Sequence, residues 1–295
     1  MSRSPPNATL LVIGGGYVGL ALAARARAAG LTLRLTTRSA ARAATLRAAG
    51  LGEVAQLDLT QADAGARIAA LASGVRQVVC LLPPSAGTDA ANSLAPWTQL
   101  CAVLSSLPDL ESAVMASSTA VYGDQAGATV NADTPPTPDT PRAQRLYDLE
   151  TLWLARAGNR VVRLAGLYGP GRIVGAAGLQ RGEAVSGEMD AWLNLIHRSD
   201  AAALLLRCLE PGGAAVELGC DGTPVVRRHY YQYLAAQLGL AAPIFSGLPA
   251  PRGSASRRCS PALTIARTGW QPQYRDFRAG LAAGPLPLPL ARTPD

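Results

Sequence analysis

No lysine occurs anywhere in the 295 residues, so all 27 basic side chains are arginine. Schiff-base chemistry, a P-loop lysine and a lysine-assisted proton relay are therefore excluded. Histidine is nearly absent as well, with only His197 and His229, and the five cysteines are scattered without a C-x-x-C pair. That ligand set is too sparse for a metal site, and cysteines lying inside apolar stretches read as reduced core residues. No apolar run reaches the ~18 residues of a membrane span. The opening Met1-Ser-Arg-Ser-Pro-Pro6 also has no apolar stretch of a signal peptide, so a cytoplasmic protein without membrane contact is expected. The formal charge of +7 is spread along the chain with no aromatic-basic cluster, which argues against nucleic acid as a partner. One further absence is local: no Asp or Glu precedes Glu53.

What is present begins with Ala8-Thr-Leu-Leu-Val-Ile-Gly-Gly-Gly-Tyr-Val-Gly19. An apolar, β-branched run ends in three glycines and passes into an Ala-rich helical pattern that Tyr17 opens. Gly14, Gly16 and Gly19 fit G-x-G-x-x-G in the strand–turn–helix setting a dinucleotide site requires. The first glycine allows the tight turn, the second lets backbone approach a pyrophosphate, and the third lets helix pack on strand. Tyr17 and Val18 open the helix, whose free N–H groups favour phosphate. The alternative is a merely structural turn. Beyond it, short apolar strands alternate with helical segments: strands at 31–36, 54–57, 77–82, 112–116, 160–164 and 215–218, and helices at 40–49, 63–72, 89–107, 142–156, 200–209 and 225–238. This alternation predicts an α/β fold, a Rossmann-type doubly wound parallel sheet with a smaller discontinuous C-terminal substrate lobe. The expected division is 7–165 plus 193–220 for the dinucleotide domain, 166–192 plus 221–285 for the lobe, and 286–295 as a tail. Tyr230, Tyr231 and Tyr233, on one helical pattern, are expected to pack rather than to form a site.

The second strand normally ends in a carboxylate that holds the ribose 2′-OH of NAD. Here the position reads Leu35-Thr-Thr-Arg-Ser39, so that partner is missing. Arg38 can instead pair a 2′-phosphate in a forked contact, with Thr37 and Ser39 adding hydroxyls. NADP(H) is thus expected over NAD(H), the alternative being a solvated Arg38. Asp58, after the third strand, could accept from the adenine amino group or cap the next helix. Leu82, ending the fourth strand, completes the expected cofactor set.

Further segments carry a family resemblance. Ser117-Ser-Thr-Ala-Val-Tyr-Gly-Asp124, Arg163-Leu-Ala-Gly-Leu-Tyr-Gly-Pro-Gly171, Asn194-Leu-Ile-His-Arg-Ser-Asp200, and Gly269-Trp270 with Pro272 follow the glycine loop in order. Together they resemble the extended short-chain dehydrogenase/reductase superfamily and its epimerase/dehydratase-like members, over nearly the whole chain. The resemblance implies a cofactor loop at Gly14–Gly19 and a catalytic Ser/Thr at Ser118, with Thr119 beside it. It also implies a substrate cleft near Tyr168, Arg172 and Arg181, with Asn194 at the lobe hinge. That family's Tyr-x-x-x-Lys pair is not matched. Anchoring on Pro141 and Glu150 puts Arg142 at the tyrosine position and Leu146 at the lysine position. Tyr147 lies five residues past Arg142, roughly 140° around a helix. The chain therefore resembles an atypical branch that keeps the cofactor fold and lacks the relay.

Ser118 can hydrogen-bond a substrate oxygen, or it is a turn serine. Arg142, always protonated at neutral pH, cannot replace a tyrosine acid; it could bind an anion or an oxyanion, or stand solvated. Tyr122 or water could supply a proton. The expected activity is an NADP-preferring oxidoreductase or epimerase/dehydratase-like reaction on a small polar substrate, an anionic one included. A non-catalytic dinucleotide-binding redox or metabolite sensor is the competing reading. A homodimer through the helix carrying Arg142 and Tyr147 follows only by analogy.

Overall fold

The computed structural model describes residues 9–84, 94–248 and 255–284. The 286–295 tail and the start of the helix expected from Asp89 lie outside the described residues. Seven parallel strands form the central sheet: β1 (Thr9–Ile13), β2 (Thr32–Thr37), β3 (Glu53–Gln56), β4 (Gln77–Cys80), β5 (Ser112–Ser118), β7 (Asn159–Leu164) and β11 (Val216–Gly219). A two-residue strand, β6 (Thr129–Val130), lies between β5 and β7 in sequence and outside this sheet. The spatial order is β3-β2-β1-β4-β5-β7-β11, with every pairing parallel. The order reverses between β1 and β4, the crevice where open α/β sheets bind ligands at their carboxyl ends.

Because both faces of the sheet are covered at its centre, β1 and β4 show no polar alternation, while β2 begins with an exposed–buried alternation toward the edge. Leu10 and Val12 of β1 enter one core with Val79, Val114 and Val162. On that face lie α1 (Tyr17–Ala28) and α2 (Ala40–Ala48). Leu11 and Ile13 enter the other core with Val78, Met115 and Val161. There they meet α3 (Ala64–Ala72), α4 (Ala95–Ser105) and α5 (Pro141–Leu154). The start of α5 is set locally: Thr140 accepts from the Ala143 N–H at 3.1 Å, and Pro141 occupies the first turn, where its missing N–H costs nothing.

The lobe is assembled from β8 (Gly166–Tyr168), α6 (Ala176–Gln180), β9 (Trp192–Leu193) and β10 (Leu195–His197). After α7 (Arg198–Arg207), which packs on α1, come β12 (Val225–Val226) and α8 (Arg227–Gln237). The chain then adds β13 (Arg258–Cys259), α9 (Ala262–Thr268) and α10 (Phe277–Ala282). A third core holds the lobe: Tyr168, Leu179, Tyr230, Tyr231, Leu234 and Phe277. The tyrosines of α8 thus pack, with Tyr233 against Phe277 as an edge-to-face pair. Residues 262–270, expected with the lobe, dock instead on the sheet edge. Thr264 Oγ1 accepts from the Leu218 N–H at 2.9 Å, and Trp270 joins the core containing Leu10.

Candidate functional site

The three glycines differ in what surrounds them. Gly14 turns at φ +117°, its N–H donating to Thr36 Oγ1 at 3.2 Å, and Gly15 N–H donates to the Thr36 carbonyl at 2.6 Å. A Cβ on Gly19 would stand 2.2 Å from the Gly14 carbonyl oxygen, so α1 leaves β1 too closely for any side chain there. A Cβ on Gly16 would meet nothing within 4 Å. Gly16 is the N-cap of α1, with no side chain capping it and no acid in the first turn. The protein leaves room and unspent N–H donors at this helix end, which is the arrangement a pyrophosphate requires. The residues present thus fit a dinucleotide.

Val18 is buried, and Tyr17 is half-buried under two cations. The guanidiniums of Arg172 and Arg198 lie 5.6 and 5.1 Å from its ring centroid. Burial pushes the Tyr17 hydroxyl above its ordinary pKa, and that hydroxyl has no partner. Arg172 therefore stands at the mouth of the glycine loop and not in the substrate cleft.

At the end of β2, Thr37 is buried while Arg38 and Ser39 are exposed. Ser39 Oγ accepts from the Arg42 N–H at 3.3 Å and starts α2. Arg42, which the sequence reading missed, donates from Nε and Nη2 to the Gly15 carbonyl at 3.3 and 3.1 Å. The signal was available: Arg42 lies four residues past Arg38 on the same helix start. Asp58 accepts from both the N–H and the hydroxyl of Thr60 at 3.0 and 2.8 Å. It closes its own turn and does not cap α3, which begins at Ala64. Leu82 is half-buried against the core of Trp97 and Leu100.

The second part of the site is a cleft of about 230 Å³ at the carboxyl end of β5. Ser118, Thr119, Trp192, Asn194, Arg227 and Arg257 contribute to its lining. Ser118 is half-buried, and its Oγ accepts from the Ala120 N–H at 3.2 Å, starting the 3₁₀ turn Thr119–Tyr122. Its hydroxyl proton is thus free to donate into the cleft. Asn194 spends its amide on the far wall, donating to the Arg257 carbonyl at 2.9 Å and accepting from the Cys259 N–H at 2.7 Å. It holds residues 257–259 in place while facing the cleft.

Four expectations are corrected. Tyr122 is not in the cleft: it is 0% exposed, and its hydroxyl donates to the Asn131 carbonyl at 2.7 Å. Burial, opposed by Arg163, pushes its pKa up to about 12, so the phenol keeps its proton at neutral pH and is a weaker acid than a free tyrosine. Tyr168 is a core residue whose hydroxyl donates to the Asp276 carbonyl at 3.2 Å, and burial raises its pKa far beyond the ordinary range. Arg181 is exposed and pairs with Glu183 at 2.7 Å. Arg142 is exposed in the first turn of α5 and does not line the cleft, while Leu146 is buried in the core.

Beneath the cleft lies a buried clamp. Arg163 donates to Glu150 Oε2 at 2.7 Å, Ser117 Oγ donates to Glu150 Oε1 at 2.5 Å, and the Arg163 guanidinium sits 4.9 Å from the Tyr122 ring centroid. This fixes α5, β7 and the end of β5 against one another. At the lobe hinge, Asp200 accepts from the N–H groups of Gln273 and Tyr274 at 2.9 and 3.0 Å. His197 accepts from the Ser199 N–H at 3.3 Å, and burial, aided by Arg198, brings its pKa down to about 4. Burial pushes Asp221 up to about 7, with Asp276 and Asp200 adding repulsion, against the Thr223 N–H that it accepts from. Among the described residues, no group of three or more His, Cys, Asp and Glu side chains could hold a metal ion. No described helix is long and apolar enough to cross a membrane.

A glycine cradle at the switch point of a parallel sheet, with a second cleft at the end of β5, defines a dinucleotide-binding α/β protein. The model of the NAD dependent epimerase/dehydratase family matches residues 10–219, and the chain belongs to that family. No curated protein matches the chain in sequence. Among solved structures, a functionally unknown conserved protein from Silicibacter pomeroyi is 26% identical, with a TM-score of 0.77 over 94% of this chain and 97% of its own. MoeE5 in complex with UDP-glucose and NAD is 23% identical, with a TM-score of 0.76 over 93% and 96% of the two chains. UDP-glucose 4-epimerase from Thermotoga maritima, bound to UDP-glucose, is 18% identical, with a TM-score of 0.74 over 92% and 96%. The Rossmann-like sheet expected from the sequence is the fold these chains share.

Proposed function

We propose that this chain is an atypical member of its family, an NADP-preferring oxidoreductase or epimerase/dehydratase-like enzyme acting on a small polar substrate in the cleft beside Ser118. The observation that carries the cofactor half is Gly16, whose Cβ position is open space at a helix N-terminus. When bound, the nicotinamide supplies or removes a hydride. The chain's own residues do the rest: the loop N–H groups hold the pyrophosphate, Arg38 pairs the 2′-phosphate from the exposed end of β2, and Arg42 braces the loop through Gly15. Ser118 donates to a substrate oxygen, and Thr119 lies beside it. The expected domain division, a cytoplasmic location and a homodimer through α5 belong to this reading. Since MoeE5 is seen with UDP-glucose and with UDP-glucuronic acid, nucleotide sugars are the first substrates to screen.

Titration of the protein with NADPH and NADH tests the cofactor half. A charge-assisted pair is worth about 1.5–3 kcal/mol, or roughly ten- to hundredfold in affinity. NADPH should bind tighter by that factor, and Arg38→Ala should bring it down to the level of NADH. Equal affinities in the unmodified protein refute the preference. A sensor without turnover has one observation in its favour, since no tyrosine stands in the described cleft lining. Turnover that Ser118→Ala lowers on any screened substrate decides against it.

A further inference from the structure

Two arginines that the sequence reading passed over line the cleft beside Ser118, and neither has a carboxylate in direct ion-pair contact among the described residues. Arg257 follows the segment 249–254 and precedes β13; one Nη1 N–H donates to the Gly123 carbonyl, and its guanidinium touches the Cys259 thiol. Its Nε is buried without an acceptor. Arg227, the first residue of α8, donates from Nη2 to the Ser186 carbonyl at 2.7 Å and lies over the Tyr231 ring at 5.2 Å. Its Nε is likewise buried without an acceptor. Among the described residues no carboxylate reaches either guanidinium within ion-pair distance, whereas eight other arginines have such a partner. Glu188, the only acid among the described lining residues, is exposed.

Both guanidiniums are half-buried, and partial removal of a cation from water without a contacting carboxylate is unfavourable. For Arg257 burial lowers the pKa against the opposing pull of Cys259, Asp139 and Asp124. Elsewhere in this fold a buried arginine has its carboxylate, as Arg163 has Glu150. Two cations held at one small cleft by backbone carbonyls, the Cys259 thiol and the Tyr231 ring are fixed in place without a carboxylate in direct contact. Such a pair presents forked donors to a carboxylate or phosphate oxygen, the geometry arginine serves best.

We propose that Arg257 and Arg227 form an anion-recognition site in the cleft, which selects substrates bearing a carboxylate or phosphate group within reach of Ser118. The proposal rests on the reading of this cleft as the substrate site. It gives the anionic substrate expected from the sequence a different set of arginines from Arg142, Arg172 and Arg181.

The test is isothermal titration of the full chain, with NADPH present and absent, using malonate, inorganic phosphate and the neutral isostere malonamide. Trp192 lines the cleft, so a change in tryptophan emission that Trp192→Phe abolishes places the binding there. Malonate or phosphate should bind at least about tenfold more tightly than malonamide. Arg257→Met should weaken the anion by a further ten- to hundredfold, Arg257→Lys by less, and Arg227→Met should act in the same direction. Arg67→Ala, on the far helix α3, should change nothing. Malonate and phosphate distinguish the two anion chemistries, and either one meets the expectation. Anion and isostere binding alike, or anion binding unchanged in both Arg257→Met and Arg227→Met, overturns the proposal. Should Arg257→Met not fold, Arg257→Lys and Arg227→Met decide. NADPH affinity, read in the same samples, should be untouched by these substitutions. Its absence in the unmodified protein defeats the cofactor reading while the cofactor-free titration still decides the anion site.

Discussion

Gly16 and Gly19 are three residues apart in one motif, yet the structure assigns them different work, and alanine separates the two. At Gly19 the new Cβ stands 2.2 Å from the Gly14 carbonyl oxygen, more than 1 Å inside an ordinary contact. Neither atom is the end of a flexible side chain, so α1 must move off β1. Overpacking of this kind costs about 1–3 kcal/mol, and at this chain length each kcal/mol is roughly 2 °C in Tm. Gly19→Ala should therefore lower Tm by about 2–6 °C. At Gly16 the Cβ meets nothing, and the only expected cost is the poorer cap, up to ~1 kcal/mol. Its effect should appear in binding: the methyl occupies the space proposed for the pyrophosphate, so NADPH affinity should drop at least about tenfold, ~1.4 kcal/mol. Thermal melts and NADPH titrations of the two variants read both quantities. Gly16→Ala binding NADPH as tightly as the unmodified chain would refute the cradle. So would a loss of stability at Gly16 equal to that at Gly19.

The fold was legible because it rests on local signals that agree with one another. After Thr9, Leu10–Ile13 is apolar at every position, and both faces of the strand are buried there; a half-buried strand would have alternated. Pro83-Pro84 follows β4 and the strand closes at Cys80, two residues before the expected end. The short strands β8, β9, β12 and β13 were not expected, because two- or three-residue pairings leave no period to read. Residues 262–270 dock on the sheet edge through the Leu218 N–H to Thr264 Oγ1 bond, Arg207 donating to the Thr268 carbonyl, and Trp270 in the core, a tertiary choice that no local pattern encodes.

The site was legible in part for the same reason. Gly14, Gly16 and Gly19 are a contiguous motif whose chemistry is in the backbone. Ser118 and Asn194 come from two of the segments that carry the resemblance, and the structure brings them to one cleft. Tyr122 and Tyr168 lie in such segments too, but a motif does not say which way a hydroxyl points, and both point into the core. Arg257 and Arg227 could not be singled out among 27 arginines. What distinguishes them is that the fold brings both, without a contacting carboxylate, to the lining of one cleft, and sequence spacing carries no trace of that.

The Glu150–Arg163 clamp predicts its own asymmetry. Glu150→Ala leaves a buried cation alone and should cost about 3–5 kcal/mol in urea unfolding, while replacing both partners by apolar residues should recover much of it. A double variant no more stable than Glu150→Ala refutes that account. The hinge acids make a prediction whose sign is unusual. Asp221 has its folded pKa raised to about 7, so between pH 4 and 7 the folded state binds more protons than the unfolded one. Stability from this group is therefore full below pH 4 and is lost as pH rises through 7. Between pH 5 and 8 the loss is about 2.5 kcal/mol. His197 acts oppositely: lowered to about 4, it stays neutral in the fold while the unfolded chain protonates, costing about 2 kcal/mol at pH 5. The two nearly cancel, and the unmodified protein should show a level Tm between pH 5 and 8. Asp221→Asn removes one side of the balance, so its Tm should fall on acidification by several degrees relative to pH 8. His197→Gln removes the other side, and its Tm should rise over the same interval. Were Asp221→Asn to leave the curve level, the Asp221 carboxyl would be ionised in the fold at pH 5, and the burial argument for it would fail.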